Sequence, residues 1–360
     1  MGAIPLYSHL MARPGEPRWG QARLRIERIC AEPRPDRELR AALLDEIRRV
    51  VPLDAYAWVG TDPSTTVGAS PLAEVPSLDV LPAMIRLKYL TSTNRWTSLP
   101  ADKVVTLLAA TDHQPGRSMV WRELLHRYGV ADVASAVLRD AYGCWGFLDL
   151  WRGAAFSTAE CAFLTGVLPE LTRSVRASLA ATFTPSPADA LPGGPAVLLL
   201  TDVLEPELRT PHAEAHLRAL LPTSPGHSPV PAVALNVAAQ LLAVEAGVDA
   251  HEPVACLHQS GGRWIQVRAA RLDPRSRSGA TIAVTIEQAT SERRLGIYCR
   301  AIGLTARETQ LVSRLVEGAD TRGVARALGI GEHTVNDHLR SIFAKAGTNS
   351  RRQLVANAHG

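Results

Sequence analysis

Apolar positions recur along the 360-residue chain with two periods, one near 3.6 and one of 2, and the changes between them mark the elements. Helical spacing runs through residues 21–49 with a break near Pro33 and Pro35, returns over 78–90, and again over 157–183. Strand-like runs occupy residues 53–60, 130–139 and 143–151. The helix at 157 is well marked: Ser157-Thr158-Ala159-Glu160 is a capping box, in which the hydroxyl and the carboxylate each satisfy a free backbone N–H. Beyond a Pro/Gly/Ser-rich stretch at 184–195, a strand at 196–201 is expected, then helix within 208–221 from about Glu214, and helix at 233–243. Strands at 254–258, 264–272 and 281–288 follow, the first two joined by Ser260-Gly261-Gly262, a turn suited to positive φ.

From residue 304 the pattern becomes purely helical. Thr305 and Glu308 form a second capping box, and Leu311, Val312, Leu315 and Val316 follow at helical spacing. Gly318 ends that helix, residues 321–328 make the next, Gly329-Ile330-Gly331 a tight turn, and 332–345 a third. Ser350-Arg351-Arg352-Gln353 predicts a capped fourth helix. Helix, short glycine turn, helix is the arrangement that lays its second helix in the major groove of DNA. At 100° per residue, Val335, Leu339, Ile342 and Phe343 share the core side of the third helix. The opposite side centres on Asp337, with His333, Arg340, Ser341 and Ala344 around it.

These residues also carry a family resemblance. The ordered string L-T-x-R-E, E-G, V-A-x-x-L-G-I, E-H-T-V-x-x-H-L-x-x-I-F-x-K and S-R-x-x-L-V over 303–356 resembles the LuxR/FixJ-type DNA-binding domain, an all-α four-helix unit. The resemblance implies contacts to a double-stranded operator by Thr334, Asn336, Asp337 and Arg340. Asn336 stands where the family usually has lysine. Asp337 beside it removes positive charge near the phosphates, so the helix is expected to read base edges, Arg340 suiting guanine, Asn336 adenine and Asp337 the cytosine amino group. Phosphate grip is then expected from Arg322, Lys345, Arg351 and Arg352. Gly331 replaces a common serine cap and Gly323 a common glutamate, at modest cost.

The element order before this domain brings two further resemblances, so the expected fold is α+β sensor domains followed by the all-α domain. Helix, strand, antiparallel strand pair and a long helix opened by Phe156-Ser157 resembles a GAF-like domain over 21–183. Strand, helix and three-strand meander resembles a PAS-like domain over 196–289. A flexible start at 1–20, a linker at 184–195 and a charged connector at 290–302 complete the expected division, with the DNA-binding domain at 303–360.

Composition narrows the possibilities. With 46% hydrophobic residues the chain can bury several cores, and a net charge of +4 excludes a polycation. The charge is nonetheless unevenly placed: residues 291–360 hold eleven Lys/Arg against six acids, net +5, leaving 28 against 29 for everything before. A near-neutral first part is joined to a basic reader. Ten of the eighteen aromatic residues lie between Tyr56 and Trp151. Either they form the core of the first sheet, or Tyr56, Trp58, Trp96, Trp145 and Phe147 line a pocket for an apolar small-molecule ligand.

Other chemistries find little support. Phosphate-loop, nucleophile-elbow and HExxH motifs are absent, so no enzyme and no cofactor is expected. His212 and His216 have helical metal spacing but lack a third ligand, and five scattered cysteines read as reduced thiols, so no metal site is expected. The longest apolar stretch, 230–248, is broken by Pro231, Asn236, Gln240 and Glu245, and the first twenty residues lack a secretory pattern. A cytoplasmic homodimer without membrane contact is the expectation. A quorum-type autoinducer regulator, or a sensor using its last helices only to dimerise, are the alternatives.

Overall fold

The computed structural model describes residues 16–183, 196–211, 213, 216, 220, 230–259, 263–272 and 281–359. The expected linker at 184–195, the Ser260-Gly261-Gly262 turn, most of the helix expected within 208–221, and His212 lie outside them. So do residues 1–15 of the expected flexible start, whereas residues 16–20 are already helical.

The prolines at 33 and 35 divide the opening into α1 (Glu16–Ala31) and α2 (Asp36–Val50), since proline leaves the last turn of one helix without a donor yet suits the start of the next. The first sheet contains β1 (Ala55–Thr61), β2 (Gly68–Glu74), β3 (Val105–Thr106), β4 (Asp132–Asp140) and β5 (Gly143–Arg152), all antiparallel in the order β2-β1-β5-β4-β3. On one face lie α1, α2 and α6 (Thr158–Ala180), around Trp58, Leu148, Leu150 and Leu171. Across the sheet are α3 (Leu81–Leu90), α4 (Leu107–Ala110) and α5 (Met119–Glu123). β2, β3, α4 and α5 have no counterpart among the sequence expectations. β2 reads GASPLAE, turn chemistry by composition, and its proline is tolerated because β2 is an edge strand. Arg40, 1% exposed, ties this edge down: its guanidinium donates to the carbonyls of Trp58 (2.8 Å) and Ser70 (3.0 Å) and pairs with Asp36.

The second sheet is built from β6 (Ala196–Leu200), β7 (Pro206–Arg209), β8 (Val254–Gln259), β9 (Arg263–Arg271) and β10 (Ile282–Gln288), antiparallel in the order β7-β6-β10-β9-β8. Leu208, ahead of the helix expected from about Glu214, lies in β7, another exposed edge strand. Helix α7 (Ala232–Glu245) has scarcely any polar face, burying Val233 through Gln240 without interruption. Such a helix must be covered all round. One side lies on the second sheet and the other on α3 and β2 of the first, so a single apolar cluster contains Val59, Phe147, Leu235, Val267 and Val284. Approach is close enough that a Cβ on Gly68 would sit 2.8 Å from the Asn236 amide. Polar clamps run alongside: Asp62 accepts from the Cys256 N–H at 2.9 Å, and Thr65 donates to the Val254 carbonyl at 2.6 Å.

The charged connector is a helix, α8 (Ser291–Ala301), capped by Thr290. Its buried side meets all three parts of the chain. Phe183, just past α6, stacks on Trp264 of β9 at 4.5 Å and lies 5.1 Å from the Tyr298 ring. Arg300 donates to the Tyr142 carbonyl at the β4–β5 turn, and Gly303, at φ +72, passes the Tyr142 ring where a Cβ would be 3.4 Å away. Helices α9 (Ala306–Val316), α10 (Thr321–Leu328), α11 (Glu332–Ala346) and α12 (Arg351–His359) then form the terminal all-α unit. Among the described residues, no helix is long and apolar enough to cross a membrane.

Candidate nucleic-acid interface

The terminal unit closes on a small core of Leu311, Val312, Leu315, Val324, Val335, Leu339, Ile342 and Leu354. Gly329 adopts the left-handed conformation (φ +63) that ends α10, and Gly331 opens α11 two residues later without a side-chain cap. This three-residue turn sets the angle at which α11 leaves. Its core face is buried, and His333, Asn336, Asp337, Arg340 and Ala344 are exposed on the other, with Thr334 half-buried beside them. Asp337 and Arg340 form an i,i+3 ion pair at 2.9 Å, with 64% and 81% of their side chains exposed. Such a pair contributes at most about 1 kcal/mol. It holds the guanidinium along the groove face without locking it there.

One acidic residue organises the unit from inside. Glu308, 3% exposed, closes its capping box with the Thr305 N–H (2.7 Å) and also accepts from the Ser341 hydroxyl (2.7 Å) and the Lys345 ammonium (2.6 Å). Burial alone would raise its pKa, but the donors from Lys345, Thr305 and Ser341 outweigh it and hold the carboxyl down at about 2. The first helix of the unit is thereby fastened to the C-terminal half of α11.

The comparisons meet this geometry at the same residues. The profile of bacterial regulatory proteins of the luxR family (GerE) matches residues 303–358. Residues 303–358 are a luxR-family helix-turn-helix domain. Over 51 residues the chain is 43% identical to a putative HTH-type transcriptional regulator in the exeN 3′ region of Aeromonas salmonicida, covering 14% of this chain and 26% of that one. Over 53 residues it is 45% identical to the monoamine regulon transcriptional regulator of Klebsiella aerogenes, covering 15% and 23%. The chain thus spans about a quarter of the length of the curated relatives it matches. Among solved structures, SdiA in complex with octanoyl-rac-glycerol is similar over 97% of this chain and 98% of that one, at 12% identity and a TM-score of 0.32. The Vibrio cholerae VqmA dimer is similar over 29% and 51%, at 22% identity and a TM-score of 0.16. At these scores neither likeness bears on the two-sheet region.

Within the luxR-type domain, the expected phosphate contacts divide. Arg322 and Arg352 are exposed, Arg322 lying 3.6 Å from Glu332. Lys345, expected to be free for phosphate, is instead engaged by Glu308, and Arg351 donates to the Ala319 carbonyl at the α9–α10 turn. Ser341, placed by periodicity on the groove side, turns inward to Glu308. The third expected capping box is half formed, Ser350 accepting from the Gln353 N–H while the Gln353 side chain goes to Thr348.

The five aromatic residues offered, as an alternative to a core, for one pocket lining do not share one. Trp58, Trp145 and half-buried Tyr56 lie on the α1/α2/α6 side of the first sheet, whereas Phe147 stacks on Trp96 at 5.4 Å on the other. Trp145 is the extra residue of a bulge, where Leu138 and Arg139 pair with Gly146 and Cys144, and this turns it away from Phe147. The rings are core. A cavity does lie on the α3/α4/α5 side, but its polar lining includes Lys88, Thr93, Asn94, Ser118, Ser135 and Asp149. The hint in the sequence is a lysine and an aspartate set within the apolar runs MIRLKYL and GFLDLW. Among the described residues no group of three His, Cys, Asp or Glu could hold a metal, His216 is buried, and all five cysteines are free.

Proposed function

We propose that this chain is a transcription regulator whose α11 reads an operator in the major groove, and whose two-sheet region, GAF-like over 21–183 and PAS-like over 196–289, senses a small molecule. The observation that carries the reading is the exposed row His333, Asn336, Asp337 and Arg340 on a helix launched from the Gly329–Gly331 turn of a luxR-family domain. Arg340 suits guanine and Asn336 adenine, while Arg322 and Arg352 grip phosphates. Since one such domain reads a half-site, a homodimer on a two-fold operator is the matching assembly. The two curated relatives are named as transcriptional regulators, in keeping with a non-enzymatic role.

Gel-shift titration across a salt series tests this. Affinity is expected to fall steeply as salt rises, as counterion release demands. Arg340→Ala is expected to lower operator affinity by about 1–3 kcal/mol while scarcely changing the salt slope. Asp337→Asn is expected to act oppositely on random-sequence DNA, raising affinity several-fold, because it removes a negative charge beside the phosphates. Unchanged operator affinity in Arg340→Ala, or binding insensitive to salt, would favour use of these helices for dimerisation alone.

A further inference from the structure

The turn after α3 and the loop after α7 meet along an open cleft of about 370 Å³, within the size range of small-molecule sites. Arg95 and Thr97 come from the first-sheet half, and Gly247 through His251 from the second. Asp249 organises the meeting point, its side chain 3% exposed and taking donors on both oxygens. Oδ1 accepts from His251 Nδ1 at 2.6 Å and from the His251 N–H at 3.0 Å. Oδ2 accepts from the Thr97 hydroxyl, which in turn accepts from Arg95 Nε at 3.2 Å. Burial would raise the Asp249 pKa, but the donors from His251 and Thr97 outweigh it and hold the group well below the usual carboxylate range. One buried carboxylate thus orients a guanidinium from one half and an imidazole from the other.

A carboxylate only accepts, so the proton of a neutral His251 ring sits on Nδ1 and leaves Nε2 a bare acceptor. The ring is 39% exposed, and with its Nδ1 edge turned to Asp249 the Nε2 edge is the one presented to the cleft. Arg95, its Nε engaged by Thr97, brings its terminal nitrogens to the same cleft, a fork that matches a carboxylate. Arg139 adds a second positive charge, reaching the Thr97 carbonyl at 3.4 Å, so the arginines outnumber Asp249 at this mouth. A clamp between the halves would need only Thr97 on Asp249. We infer that this cleft binds a small organic acid, its carboxylate on the Arg95 guanidinium and a neighbouring hydroxyl donating to His251 Nε2. This rests on reading the two-sheet region as a sensor. The site draws on both halves, so its occupant bears on how they sit together.

Three shape-matched probes separate the contacts: mandelate, phenylacetate, which lacks the hydroxyl, and 1-phenyl-1,2-ethanediol, which lacks the carboxylate. Each is titrated calorimetrically into the full chain at equal ionic strength. Mandelate is expected to bind saturably at millimolar concentration, about tenfold more tightly than either of the others. Arg95→Gln is expected to abolish the preference over the diol, and His251→Phe the preference over phenylacetate. A purely structural clamp would not shift selectivity in this way. Equal binding of the three probes, no saturable heat with mandelate, or selectivity unaltered in both variants overturns the inference. Operator titration with and without saturating mandelate is read separately: saturable binding beside unchanged operator affinity keeps the site and counts against its use in sensing.

Discussion

Glu308→Ala is expected to destabilise the terminal four-helix unit by about 3 kcal/mol, and Glu308→Gln by about 2 kcal/mol, because a partly buried ammonium and two further donors then lose their shared acceptor. Gln keeps an oxygen for the Thr305 N–H and loses mainly the charge facing Lys345, so the difference between the variants isolates the capping contribution. The pH dependence has a definite sign. The Glu308 carboxyl is held at about 2 in the folded unit against an ordinary 4.5. A folded pKa below the unfolded one gives stability that is present above the unfolded value and is lost as pH falls toward the folded value. The gap between wild type and Glu308→Gln should therefore be full at neutral pH and close between about pH 4.5 and 2. Hydrogen exchange of the α9 amides measures it locally. A gap that persists at pH 2 would show that the glutamine fails for steric reasons instead.

Asp132→Ala is expected to lower the stability of the two-sheet region by about 3–5 kcal/mol, with a fall in melting temperature of about 10 °C. Its carboxylate, 1% exposed, accepts from three backbone N–H groups: Leu108 (3.0 Å), Val133 (2.9 Å) and Phe156 (3.1 Å). These open α4, β4 and the approach to α6, so one side chain joins three elements distant in sequence. Alanine leaves three buried donors without an acceptor. Asp132→Asn keeps the acceptor for Leu108 and Val133 but turns an amide NH₂ toward the Phe156 N–H, and about 2 kcal/mol should be lost. Thermal unfolding followed by circular dichroism reads both variants. A loss below about 1 kcal/mol for the alanine would mean that water replaces the carboxylate.

What could be read from the sequence follows from how local each signal is. The capping boxes at Ser157 and Thr305 form as expected because both halves lie within four residues. The central strands β1, β4, β5, β9 and β10 announced themselves by apolar runs, and the exposed side of α11 followed from 100° periodicity. Edge strands β2 and β7 did not, since an edge needs few apolar residues and tolerates Pro71 and Pro206. Engagements across long sequence separations were equally silent: Lys345 meets Glu308 37 residues away, and Arg351 meets Ala319 32 away. The aromatic count misled because composition does not specify a face, and one bulge suffices to send Trp145 to the side opposite Phe147. Lys88 and Asp149 each stand within an apolar run, but only the fold brings the two together.

The apolar wrap of α7 bears on how any message could travel through this chain. A helix greasy on every side cannot be uncovered without exposing a large surface to water, so the two sheets cannot swing apart as independent lobes on a hinge. Their relative motion is confined to small sliding and repacking steps within one common interior. Expressed alone, either sheet would present the half of α7, or the socket for it, that its neighbour normally hides, and would be sticky for that reason.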